Sequence, residues 1–236
     1  MPFPTVESTT STAFASSSTE HNAAYPATVS AGDLLLMVVS AFDGTTITTP
    51  TGYTELATAI DSAPVVVRAA VYAKAADGTE GGGSEAIALA SAHTACAQVM
   101  RISGWAGDVS TDIDISSGGI GSSSTPDPDS VNAGWGDADN LFVAVVGAGD
   151  DDAIVTSYPT SYGGGATVAS GGGANNGCSI GTAYRSLNGT TDDPGIFNLT
   201  SAEAWLAWTV VVAPAGAGGS NPMMNKMMHE GHSANG

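Results

Sequence analysis

The stretches GDLLLMVVSAFDG (32–44) and ADNLFVAVVGAGDD (138–151) carry the same pattern, an acidic turn followed by an apolar run. A short apolar run is typical of a strand buried on both faces, although the run alone does not distinguish a strand from a buried helix. Its length and the flanking Gly and Asp residues favour a strand. We therefore predict two equivalent central strands in one chain.

The correspondence between these two stretches extends along the chain in the same order. Upstream, ASSSTEHN (15–22) corresponds to GSSSTPDP (121–128). The corresponding downstream pieces are PTGY (50–53) and PTSY (159–162), AVYAK (70–74) and TAYRS (182–186), EAIALAS (85–91) and GIFNLTS (195–201), and ACAQVMRI (95–102) and AWLAWTVV (204–211). We predict that residues 5–104 and 112–213 are sequence-related halves with the same strand order and direction.

The matched pieces have the period of two expected of β-strands. In VVVRAAVYAKA (65–75) one side carries Val65, Val67, Ala69, Val71 and Ala73, and the other carries Arg68, Tyr72 and Lys74. This alternation predicts one core side and one solvated side. The intervening segments are rich in Gly, Pro, Asn and Asp, which favours turns. The pattern predicts an all-β, antiparallel, jelly-roll-like sandwich over residues 1–213, in preference to two tandem sandwiches.

Composition excludes some partners. Asp and Glu outnumber Lys and Arg 23 to 5, which gives a formal net charge of −18 over 236 residues. Such a surface repels nucleic-acid phosphates and anionic membranes, so we expect neither as a partner. No apolar run reaches the length of a membrane helix, and the sequence MPFPTVESTTSTAF lacks the features of a signal peptide. The expectation is a soluble protein made in the cytosol.

Motifs for catalysis and metal binding fail on their context. GCSIG (177–181) matches G-x-S-x-G, but no helix is predicted after Ser179, as a nucleophile elbow requires. His93 and Cys96 form an H-x-x-C pair, but no second ligand pair has metal-binding spacing. We predict that the chain is not an enzyme, with Ser179 in a strand and His93 packed or solvated.

The remaining polar candidates are cysteines and carboxylates. Cys96 and Cys178 are predicted to be buried free thiols, with a single disulfide as the alternative. Acidic clusters lie in predicted loops at Asp150, Asp151 and Asp152, at Asp127 and Asp129, and at Asp192 and Asp193. We predict solvated loops without a cofactor, and calcium binding is the weaker alternative because Ca²⁺ prefers oxygen ligands.

Aromatic side chains could pack in the core or stack on sugars. The candidates are Tyr53, Tyr162, Trp105, Trp135, Trp205 and Trp208. We predict core or subunit-interface positions, with a glycan platform as the alternative. Trp205 and Trp208 are predicted to lie on opposite faces of one strand, so that only one of them needs to be in the core.

The C-terminal segment 214–236 differs from the rest of the chain. After a Gly- and Ala-rich linker, MMNKMMHEGH places Met223, Met224, Met227 and Met228 on one face if the segment is helical. Methionine is an adaptable contact residue, so we predict a docking peptide for a partner or a neighbouring subunit. A disordered tail and a copper site built from the Met and His residues are alternatives.

The order AGDLLLMVV, TPTGY, VYAKAADGTE and ACAQVMRISGW, over residues 30–106, resembles β-sandwich proteins encoded by tailed bacteriophages. A degenerate second copy extends to about residue 213. The resemblance implies a virion structural protein, such as a capsid decoration protein, a head fibre or a tail-associated sandwich. Its partners would be other virion proteins, notably the major capsid protein, and copies of itself, with assembly in the host cytoplasm. A glycan-binding or glycan-cleaving module of a phage fibre is the alternative.

Overall fold

The computed structural model describes residues 1–61, 66–173 and 176–217. Within these ranges the chain forms sixteen β-strands and no helix, and all of the strand pairs are antiparallel. The predicted all-β antiparallel class is therefore confirmed. None of the described segments is a helix long and apolar enough to cross a membrane.

The first half of the chain forms one sheet. Its strands are β1 (Thr5–Ala24), β2 (Leu34–Phe42), β3 (Ile47–Thr48), β4 (Thr54–Asp61), β5 (Val67–Ala75) and β6 (Ser84–Ser103). Neighbouring strands follow the order β1-β6-β2-β5-β4, and β3 pairs with β6. The apolar run of the opening stretch is thus the central strand β2.

The second half forms the other large sheet and two short ladders. Its strands are β7 (Ile113–Ile115), β8 (Gly119–Ser123), β9 (Val131–Asn132), β10 (Asp139–Gly149), β11 (Val155–Ser157), β12 (Gly163–Ala169), β13 (Cys178–Asn188), β14 (Thr191–Asp192), β15 (Asn198–Leu199) and β16 (Glu203–Val212). The sheet order is β12-β13-β10-β16-β7, with β8 also paired to β16. The ladders are β11-β15 and β9-β14.

The two large sheets have corresponding strand orders. The series β1, β6, β2, β5, β4 matches the series β7 with β8, β16, β10, β13, β12. The sheets also pack in a reciprocal way, because β6 and β2 contact β13 while β16 and β10 contact β5. Each half supplies one sheet of the sandwich. The jelly-roll connectivity and the common origin of the two halves stay predictions.

The main core lies between the two sheets. Leu34, Leu36 and Val38 of β2 face this core, as do Leu141 and Val143 of β10. The predicted alternation in β5 is also present, because Val67, Ala69, Val71 and Ala73 point into the same cluster. Val65 lies outside the described residues.

The other face of β5 corrects the prediction of a solvated side. Tyr72 and Ala70 are fully buried there, in a second cluster with Leu35 and Met37 of β2. The long strands β1 and β6 explain the difference. Register shifts on both sides of Ser18 interrupt the β1-β6 ladder. Ala23, near the end of β1, and Ile87 and Leu89, near the start of β6, belong to the second cluster and cover this face of the sheet.

Candidate functional sites

The free edge of the first sheet is a long strand that is uncharged over most of its length. Strand β1 ends the sheet order, so one side of its backbone is not used by the ladder with β6. All twelve residues between Glu7 and Glu20 are uncharged. Within them, Ser8–Phe14 pairs with β6 in an unbroken register. An edge of this kind presents backbone N–H and C=O groups to another strand.

The regular part of this edge lacks the devices that usually block edge-to-edge pairing. Such devices are charged side chains, Pro residues and bulges. The opposite edge, β4, carries Glu55, Asp61 and a bulge between Glu55 and Ala57. In β1 the register shifts lie outside 8–14. We call residues 8–14 the open edge segment.

The open edge segment is uncharged, whereas the chain as a whole carries a large excess of carboxylates. The four described Lys and Arg side chains contact internal partners: Lys74 Nζ lies 3.0 Å from Glu80 Oε1, Arg101 Nε lies 2.5 Å from Asp33 Oδ2, Arg185 Nε lies 3.3 Å from Asp192 Oδ2, and Arg68 Nε donates to Gly44 O at 3.0 Å. The many remaining carboxylates repel a second copy of the chain. The open edge segment itself contributes no carboxylate to this repulsion.

Sequence reasoning missed a tyrosine cluster in the first half. The Tyr53 N–H donates to Pro50 O at 3.1 Å, and this turn is closed by Gly52 at a φ of 78°. Lys74 Nζ lies 5.8 Å from the centre of the Tyr53 ring and forms an ion pair with the buried Glu80. Burial is the main cause that raises the pKa of the Tyr53 hydroxyl above its ordinary value. The cluster fastens the turn to the sheet.

The second half has a similar arrangement around its PTSY turn. The Tyr162 N–H donates to Pro159 O at 3.1 Å, and Ser161 has a φ of 71°. Arg185 lies 5.7 Å from the centre of the Tyr162 ring and pairs with Asp192, which also accepts a hydrogen bond from the Tyr162 hydroxyl. Each cluster therefore ties a turn to its sheet. The matched PTGY and PTSY turns were the signal that could have revealed them.

The GDDD turn brings carboxylates together. Asp150, Asp151 and Asp152 each place one oxygen within 4.8 Å of the others. Oxygen atoms so arranged could hold Ca²⁺. However, Asp150 Oδ1 accepts a hydrogen bond from the Asp152 N–H at 3.3 Å, and Asp151 Oδ2 accepts one from the Gly173 N–H at 2.7 Å. These bonds are typical of an acidic turn.

The other acidic loops are used differently. Asp127 and Asp193 line one surface hollow, where burial and then Asp193 raise the pKa of the Asp127 carboxyl. Asp129 accepts a hydrogen bond from the Ser117 hydroxyl at 2.7 Å. Asp192 belongs to the second tyrosine cluster. Asp192 and its sequence neighbour Asp193 therefore make different contacts, the first with Arg185 and the second at the surface hollow.

The G-x-S-x-G match lies at the start of a strand, as predicted. Ser179 lies in β13 with 2% of its surface exposed, and its hydroxyl donates to Ala153 O at 2.7 Å. His93 lies in β6, where its Nε2 is 3.7 Å from Asp43 Oδ2 and its carbonyl oxygen is 3.0 Å from His21 Nε2. The hydroxyl and the imidazole both contact neighbouring strands and turns.

The two cysteines are buried free thiols, as predicted. They project from different sheets into the main core, where their sulfur atoms lie 3.7 Å apart. Cys96 belongs to β6 and Cys178 begins β13. The sequence offered a disulfide between them only as the alternative, because their proximity depends on how the sheets face each other.

The aromatic residues lie mainly in the core. Tyr53, Trp105, Trp205 and Trp208 are at most 8% exposed. Trp205 and Trp208 lie in clusters on opposite faces of β16, and both are buried because both faces are covered. Trp135 is partly exposed and its Nε1 donates to Asn140 Oδ1 at 2.9 Å.

The predicted docking residues Met223, Met224, Met227 and Met228 lie outside the described residues. Comparison of the chain with protein-family models, with curated proteins and with solved structures gave no match.

Proposed function

We propose that this chain is a non-enzymatic structural protein that assembles through protein–protein contacts, as a decoration or attachment protein on the exterior of a bacteriophage particle. The open edge segment of β1 carries the assembly part of the proposal. It combines unused backbone hydrogen-bonding groups with an absence of charge along 8–14, in a chain with a net charge of −18. The resemblance to phage β-sandwich proteins supplies the virion setting.

The occupant that we propose for the open edge segment is the same segment of a second copy. Antiparallel pairing centred on Ser11 places Ser8 opposite Phe14 and Thr10 opposite Thr12. In this register Glu7 lies opposite Ala15. A register centred between Ala13 and Phe14 would place Glu7 opposite Glu20, and like charges in that position are destabilising. Pairing centred on Ser11 therefore joins two sheets without opposing carboxylates.

Disulfide trapping tests this pairing. Ser11 is exposed, and the native cysteines are fully buried, so Ser11→Cys introduces one accessible thiol. On mild oxidation we expect a covalent dimer of Ser11→Cys on a non-reducing gel. Thr58→Cys, at an exposed position of the edge strand β4, is the matched control and should stay monomeric. Equal cross-linking of the two variants would show random collision and contradict the proposal.

Sedimentation velocity of the unmodified chain supplies a measurement without mutation. Salt screens repulsion between the acidic surfaces, so association should strengthen as ionic strength rises. A monomer at all protein and salt concentrations would overturn self-association. In that case the edge would remain available to another virion protein.

The virion setting needs its own test. Mass spectrometry of density-gradient-purified phage particles that encode this chain should detect it in many copies, together with the major capsid protein. Recovery of the chain only from the soluble fraction of the lysate would contradict a place on the particle.

A further inference from the structure

We propose that Cys96 and Cys178 form an oxidisable cross-link that joins the two sheets of the sandwich. The two side chains are fully buried, and they face each other from β6 and β13 across the main core. Their sulfur atoms are already in contact at 3.7 Å. These are the only two cysteines of the chain, so within one molecule each has a single candidate partner.

Disulfide formation requires the two sulfur atoms to come closer than they are in the reduced chain. A disulfide needs a sulfur separation of about 2.05 Å, so the two atoms must approach by less than 2 Å. The backbone around Cys178 is held by hydrogen bonds, since the Ser170 N–H donates to Cys178 O at 2.8 Å and the Asp150 N–H donates to Gly177 O at 2.9 Å. The approach therefore comes mainly from rotation of the two Cys side chains, which breaks the 3.2 Å contact from the Cys178 thiol to Ser40 O.

The chemistry requires a two-electron oxidant, and hydrogen peroxide serves as the example. One thiol, as its thiolate, attacks a peroxide oxygen, which gives a sulfenic acid and releases one water after protonation. The second thiol attacks that sulfur and displaces a second water. The two thiols lose two electrons and two protons in total, and the peroxide is reduced to two waters.

Burial controls when this reaction occurs. Burial raises the pKa of the Cys96 thiol, so the reactive thiolate is scarce in the closed sandwich. Oxidation therefore depends on brief local opening and should be slow in a reducing cytosol. Outside a cell, where no reductant competes, the cross-link would accumulate. The bond would span the two halves, with a separation of 82 residues between its ends.

The experiment uses the full native chain. Incubation with hydrogen peroxide, followed by alkylation under denaturing conditions, measures how many thiols remain. Trypsin cleaves after Lys74, Arg101 and Arg185, which separates Cys96 in peptide 75–101 from Cys178 in peptide 102–185. We expect these two peptides to be linked in a species 2 Da lighter than their sum, and released by dithiothreitol. Linkage between chains, or two alkylatable thiols after long incubation, would overturn the proposal.

Thermal unfolding gives a second measurement. Closing so long a loop should raise the Tm of the oxidised chain by roughly 10 °C relative to its reduced form. Cys96→Ala is the matched control, because it keeps Cys178 but removes its partner, and its Tm should not increase on oxidation. An equal rise in this variant would assign the effect to another modification.

Discussion

Gly147 tests how closely the two sheets approach. It lies in β10, and a Cβ atom added to it would be 2.7 Å from Ala69 Cβ and 3.5 Å from Ser40 Oγ. The first distance is about 1 Å shorter than an ordinary carbon–carbon contact. Ala69 projects from β5 of the opposite sheet into the main core. Gly147→Ala must therefore push the sheets apart or distort both strands.

Two opposing effects set the size of the change. Replacing Gly by Ala within a strand stabilises the folded state by about 0.4–1 kcal/mol through the lower entropy of the unfolded chain. Overpacking a well-filled core costs about 1–3 kcal/mol. We expect the overpacking to dominate, with a net loss of about 0.5–2.5 kcal/mol in the free energy of unfolding, measured by urea denaturation.

Gly163 provides the matched control. It also lies in a strand, β12, but a Cβ atom added there would meet no atom within 4 Å. Gly163→Ala should therefore be neutral or slightly stabilising. The double variant Ala69→Gly/Gly147→Ala removes the clashing methyl and should recover part of the loss, which a double-mutant cycle measures as a coupling energy. A Gly147→Ala protein as stable as the Gly163→Ala protein would refute the close approach of the sheets.

Two further predictions concern Glu203 and the C-terminal segment. Burial and then the Asp150 carboxylate raise the pKa of Glu203, so its stabilising contribution is complete below the ordinary pKa of 4.5 and is lost as pH rises through the raised value. Glu203→Gln should raise the Tm by roughly 1–3 °C at pH 7 but not at pH 4, and a lower Tm at pH 7 would contradict this. Deletion of residues 219–236 should leave the Tm unchanged but abolish retention on phage particles, and full retention of the truncated chain would exclude the segment as a docking element.

The sequence predicted those parts of the fold that depend on local pattern. The apolar runs of β2 and β10, the alternation in β5 and the turns between strands are all encoded within short windows. The burial of Tyr72 was not predicted, because the residues that cover it come from strands and loops distant in sequence. Whether the polar side of an alternating strand faces solvent depends on which other elements pack over it in the folded chain.

The open edge segment shows the same limit for the candidate site. The uncharged run from Ser8 to Thr19 is visible in the sequence, but nothing in it indicates an edge. The position of β1 at the end of the sheet is set by its pairing with β6, about eighty residues later. The proximity of the two cysteines has the same origin, since it depends on the packing of β6 against β13. Local patterns specify strands, whereas long-range pairing specifies sites.

The shared core explains why the inner faces of the two halves depend on each other. The inner faces of β2 and β10 contribute to one apolar cluster, so an isolated half would expose residues such as Leu36 to water. A buried polar contact adds specificity, because the Thr182 hydroxyl donates to Gln98 Oε1 at 2.9 Å between β13 and β6. A shift of one sheet over the other would leave both groups unpaired in the core, which is costly. Packing of the two sheets therefore buries their apolar inner faces. Backbone hydrogen-bonding groups that the ladders do not use are left at the edge strands, such as β1.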